Sequence, residues 1–104
     1  MPHRRAGYKR LTTSGVAVTG PNICYGFLLS SNSANASATL SNHGGASLTA
    51  AHSALKVATV YMSAPGTDYL SLEPGVGLQT GAHVSMVSGD YCTVFFRRTS
   101  SRGW

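Results

Sequence analysis

Acid–base catalysis requires titratable side chains gathered in one cleft, and the whole carboxylate inventory of this chain is Asp68, Glu73 and Asp90. Each lies at or beside a turn signal, so solvated turn residues are expected rather than a working pair. A thiol nucleophile would need Cys24 or Cys92 next to one of His3, His43, His52 or His83. Neither cysteine carries the flanking residues of a known thiol enzyme. Both fall in apolar runs, where Cys behaves as a small core residue, and both are expected as reduced thiols. Metal binding favours ligands spaced closely enough to share one turn or strand. The histidines are scattered and neither Cys has a second Cys or His within four residues, so surface or loop histidines are expected. A ring of symmetry-related His83 side chains around an oligomer axis is the one metal arrangement left open. Gly75-Val76-Gly77-Leu78-Gln79-Thr80-Gly81 resembles a dinucleotide loop only superficially, because the third glycine is one residue too far and no helix follows. These residues predict no catalytic group, no cofactor and no metal centre.

The remaining chemistry is positive charge. The formal net charge is +5, carried mostly near the two ends: Arg4, Arg5, Lys9 and Arg10 at one, Arg97, Arg98 and Arg102 at the other, with Lys56 between. Such clusters report on a local partner: an acidic protein surface, nucleic acid or an anionic membrane. Nucleic-acid recognition on a sheet interleaves exposed aromatics with basic residues on one face. Tyr25, Phe27, Tyr61, Tyr69, Phe95 and Phe96 have almost no basic neighbours in sequence apart from Arg97 and Arg98, so an aromatic core is expected. Trp104, which closes the sequence after Gly103, has the character of an interface anchor. The basic ends and Trp104 are therefore the candidate partner-binding residues, directed at protein, with nucleic acid as the alternative and no membrane role.

Short strands must position these groups. Ala36, Ala38 and Leu40 alternate with Ser37, Thr39 and Ser41, and Ala82, Val84 and Met86 alternate less strictly with His83, Ser85 and Ser88. That period of two marks strands with one buried face. Ile23 to Leu29 and Thr93 to Phe96 are more uniformly apolar and predict the middle strands of the sheets, with Ile23, Tyr25, Phe27, Leu29, Val94 and Phe96 as core. Turn signals separate the runs at Gly20-Pro21-Asn22, Ser31-Asn32-Ser33, Asn42 to Gly45, Ala64-Pro65-Gly66, Glu73-Pro74-Gly75 and Ser88-Gly89-Asp90. Leu48 to Val57 offers at most a turn or two of helix before a strand over Lys56 to Met62. Together these features predict an all-β chain: one antiparallel β-sandwich, jelly-roll-like, with residues 1–7 and 99–104 as extended arms.

A chain of 104 residues matches one domain. Its composition is 42% hydrophobic and only 11% charged, against about a quarter charged in an ordinary soluble domain. Low charge implies surface covered by other protein. No stretch approaches the roughly 20 apolar residues of a spanning helix, and polar Thr12 to Ser14 replace the apolar core of a secretory signal. Assembly in a cytoplasm is expected.

The order of segments resembles small β-sandwich virion proteins of tailed bacteriophages. The resemblance rests on Tyr8-Lys9-Arg10-Leu11-Thr12-Thr13-Ser14-Gly15, on Gly20-Pro21-Asn22-Ile23-Cys24-Tyr25-Gly26-Phe27-Leu28-Leu29-Ser30, and on the Ser/Ala strand Ala36 to Ser41. It continues through a Leu-rich strand ending at Pro74-Gly75, the segment Val76 to Val84 and the last strand, Cys92 to Arg97. It implies a structural protein of the virion, non-enzymatic, of the capsid decoration or cement type. The implied partners are the major capsid protein and further copies of the chain, as a trimer. A neck, tail or head-fibre protein is the alternative within the particle.

Overall fold

The computed structural model describes residues 7–45 and 55–99. Within them lie eight strands: β1 (Gly7–Leu11), β2 (Gly15–Thr19), β3 (Asn22–Ser31), β4 (Ala36–Ser41), β5 (Lys56–Met62), β6 (Gly66–Leu78), β7 (Gly81–Val87) and β8 (Tyr91–Arg98). They form two four-stranded antiparallel sheets, ordered β1-β8-β3-β6 and β2-β7-β4-β5. The pairs β1/β8, β3/β6, β2/β7 and β4/β5 are nested, as if one long hairpin had been rolled until alternate pairs fell on opposite sheets. That is the strand order of a jelly roll. Gly7 already pairs with Phe96, so the N-terminal boundary of the sandwich lies one residue earlier than predicted. Arg4, Arg5, Arg102, Trp104 and the helix candidate from Leu48 to residue 54 lie outside the described residues.

The inner faces enclose one core of Val18, Cys24, Phe27, Leu29, Ala36, Ala38, Leu40, Val60, Met62, Leu78, Ala82, Val84, Cys92 and Val94. Small residues on β4 and β7 meet larger ones on β3, the complementarity by which two sheets interdigitate. The Ala36/Ala38/Leu40 alternation and the central places of β3 and β8 match the sequence expectation. β3 and β8, however, are fully buried on one face only. Cys24 pairs with Phe96 and Gly26 with Phe95, so a bulge at Tyr25 interrupts the period of two. The inward set on β3 is therefore Cys24, Phe27 and Leu29, while Ile23 and Tyr25 turn outward and are only half-buried. Phe96 faces inward but is partly exposed.

β6 departs from prediction in a related way. Glu73-Pro74-Gly75 does not end a strand: the register jumps from Ser71 opposite Gly26 to Val76 opposite Cys24, and β6 continues to Leu78. Pro lacks an N–H for the ladder, and such an irregularity on a strand at the end of its sheet is where it is tolerated. The segment from Gly75 is thus the end of β6, and the turn comes at Gln79 and Thr80. Among the described residues no helix is long and apolar enough to cross a membrane.

Candidate interaction faces

The four described residues of the predicted basic ends sit on the sandwich rather than in detached arms. Lys9 and Arg10 belong to β1, opposite Val94 and Thr93. Lys9 shares the inward side with Val94 yet is exposed, because β1 ends its sheet, and a charge at such a rim opposes addition of another strand. Arg10 lies on the outer side with its guanidinium carbon 4.3 Å from the centre of the Tyr91 ring, a cation–π geometry. The Arg97 Nε donates to the Tyr25 hydroxyl at 3.1 Å. An Nη1–H of Arg98 donates to the Thr19 carbonyl at 3.1 Å, tying the end of one sheet to the other. Lys9 and Arg10 therefore do not meet Arg97 and Arg98: Gly7 is already opposite Phe96, so the two pairs lie toward opposite ends of the β1/β8 ladder.

What the outer face of the β1-β8-β3-β6 sheet does assemble is aromatic, contrary to the expected aromatic core. Tyr8 is 71% and Tyr69 44% exposed, and Tyr25, Tyr91 and Phe95 are half-buried on the same face. The Phe95 ring lies 6.5 Å from that of Tyr8 and 6.0 Å from that of Tyr69, the second contact edge-to-face. β3 separates Phe95 from Tyr69, and the rings meet because Gly26 intervenes without a side chain. A Cβ there would collide with the Tyr69 hydroxyl and come within 2.7 Å of the Leu70 carbonyl oxygen. The Tyr69 hydroxyl donates to the Tyr25 carbonyl at 3.3 Å, holding its ring across the strand. Tyr25, Tyr69, Phe95 and Glu73 line an open depression of about 360 Å³. The signal for this face in the sequence was Gly26, since glycine inside a strand marks a bulge or a close approach.

The outer face of the β2-β7-β4-β5 sheet has different chemistry. Val87, Ser37 and Tyr61 form one row across β7, β4 and β5, and Ser85, Thr39 and Thr59 form the next. Val87 is 59% and Tyr61 58% exposed. The Thr39 and Thr59 hydroxyls lie 2.9 Å apart, and Tyr61 donates to Asn35 Oδ1 at 2.6 Å. Neither row carries a charge; Lys56, opposite Ser41, lies beyond one end of them, and Asp68 lines a depression that Tyr61 also borders.

His83 corrects another expectation. It is 2% exposed, because the loop after β4 folds over it and brings the His43 ring to 5.9 Å, edge-to-face. Gly81 permits that cover: a Cβ there would lie 2.7 Å from Gly44 Cα and 2.9 Å from the His43 carbonyl oxygen. A histidine so enclosed cannot present itself to an ion on an oligomer axis. Among the described residues no group of three or more His, Cys, Asp or Glu side chains could hold a metal ion. Asp90 Oδ2 accepts from the Asn32 N–H at 2.8 Å, pinning one loop to another. Asp68 Oδ1 accepts from the Tyr69 N–H at 2.9 Å.

Cys24 and Cys92 are free and buried. Burial raises both thiols, Cys92 to about 12 with the nearby Cys24 adding to the shift, while a hydrogen bond with the Gly26 backbone partly offsets it at Cys24. Neither group is a nucleophile at neutral pH.

Compared with protein families, curated proteins and solved structures, the chain finds no match in any of the three.

Proposed function

We propose that the chain is a non-enzymatic structural protein of a tailed-phage virion, a decoration protein that bridges subunits of the icosahedral shell. The observation that carries this reading is a pair of uncharged rows on the outer face of β7, β4 and β5, Val87, Ser37 and Tyr61 in one and Ser85, Thr39 and Thr59 in the next. A surface without charges loses little on desolvation, and depletion of charge is the compositional mark of an interface core. The whole sequence is only 11% charged, in keeping with a protein largely covered by neighbours. Jelly rolls recur in viral shells, which supports the assignment by analogy of fold.

The mechanism is thermodynamic. A protein that binds the assembled shell and not its free subunits stabilises the shell by mass action. Repeated copies of one site multiply weak contacts, and association as a trimer engages three sites at once. The terminal segments carrying Arg4, Arg5, Arg102 and Trp104 add contacts to acidic and apolar patches of the major capsid protein.

Quantitative mass spectrometry of purified particles tests the proposal. Abundance near that of the major capsid protein is expected, and Val87→Arg, a change at an exposed position, should empty the particles of the chain without altering its melting temperature. About a dozen copies per particle would place it at the neck or tail instead. Absence from the particles would overturn the assignment.

A further inference from the structure

The second outer face calls for a different partner. Five aromatic rings, Tyr8, Tyr25, Tyr69, Tyr91 and Phe95, share one side of the β1-β8-β3-β6 sheet, and none of them belongs to the buried core. Three stand in a row across the strands, Tyr8 to Phe95 at 6.5 Å and Phe95 to Tyr69 at 6.0 Å. Arg10 lies over Tyr91 toward one end of β8, and Arg97 reaches Tyr25 toward the other. Arg97 is six positions along β8 from Tyr91, about 20 Å at the rise of an antiparallel strand. The guanidinium groups thus flank the rings from both ends.

We infer that this face is a stacking platform for single-stranded nucleic acid. Rings accept any base, because every base has a π-face, while guanidinium groups pair with the backbone phosphates. Exposed aromatics interleaved with arginines on one sheet face are the arrangement such recognition needs, and the bulge at Tyr25 with the side-chain-free Gly26 is what creates it. Charge complementarity selects the occupant. Arg10 and Arg97 lie on the face, and the one carboxylate lining the depression is Glu73. Glu73 lies on β6, away from β1, so a phosphate backbone is favoured along β1 and β8, with bases directed toward Tyr69. There the carboxylate can accept from an exocyclic amino group, as acidic side chains do from cytosine. A duplex keeps its bases stacked on one another and cannot use the rings. The platform is independent of shell docking, which uses the other sheet, so failure of either proposal leaves the other standing.

Fluorescence anisotropy of the purified full-length chain with labelled mixed-sequence 12-mers tests it, with single-stranded DNA, single-stranded RNA and the DNA duplex as separate arms. Micromolar binding to one or both single strands, weaker for the duplex and falling steeply with salt, is expected. Phe95→Ala and Tyr8→Ala should each weaken binding about tenfold, with near-wild-type circular dichroism and every basic residue in place. Arg97→Gln should reduce the salt dependence. Single-strand binding unchanged in the ring variants, or equal binding to the duplex, would show that charge alone is responsible and would overturn the platform. So would the absence of binding at 50 mM salt, or capture of a labelled poly-glutamate peptide with none of the oligonucleotides, which would assign the face to acidic protein.

Discussion

Replacing Phe27 with Ala should be far more damaging than replacing Tyr25, two residues away, although both look equally suited to the core in sequence. Phe27 is completely buried on β3, at 0% exposure, while Tyr25 sits at the bulge on the outer face with its hydroxyl held by Arg97. Removing a buried phenylalanine ring costs about 3–5 kcal/mol, the transfer of the ring plus the cavity it leaves. Tyr25→Ala leaves no internal cavity and loses one hydrogen bond and some ring packing, about 1 kcal/mol. A domain of this size has a total stability of about 5–15 kcal/mol, so Phe27→Ala should be marginally folded and Tyr25→Ala robust. Urea unfolding followed by far-UV circular dichroism resolves the difference. With a slope of about 1–3 kcal/mol per molar urea, the Phe27→Ala midpoint should fall by at least about 1 M and the Tyr25→Ala midpoint by a fraction of that. Equal losses would mean that β3 runs through Tyr25 without a bulge. The register, and with it the aromatic face, would then be wrong.

Two further outcomes follow from the packing. Cys92 has an ordinary thiol value of 9.0 when unfolded and one raised to about 12 when folded, so its stabilising contribution is full below pH 9 and is lost as the pH rises toward 12; the melting temperature of the wild type should fall more steeply over that window than that of Cys92→Val, and parallel curves would contradict the buried thiol. Gly26→Ala should destabilise the protein by about 1–3 kcal/mol, since its Cβ meets both Tyr69 and the Leu70 carbonyl. Adding Tyr69→Ala should recover part of that loss in a double-mutant cycle, and strict additivity of the two changes would refute the contact.

The class of fold and much of its layout are written in local sequence patterns. Alternation at Ala36, Ala38 and Leu40 and the apolar runs of β3 and β8 are local consequences of a two-residue period, and local patterns are legible without the rest of the chain. The turns at Pro21, Asn32, Pro65 and Gly89 were legible for the same reason, since they follow from the backbone preferences of single residues. The composition of the core was legible only in part. One extra residue at Tyr25 inverts the sidedness of everything before it on β3, and the bulge is defined by the register of that strand against β8, which lies far away in sequence. Burial of His83 likewise depends on a loop about 40 residues earlier in the sequence closing over β7, which no period within Gly81–Val87 encodes. The outer faces belong wholly to tertiary structure. Tyr8, Phe95 and Tyr69 come from β1, β8 and β6, and Val87, Ser37 and Tyr61 from β7, β4 and β5; only the rolled pairing of the strands sets each trio side by side.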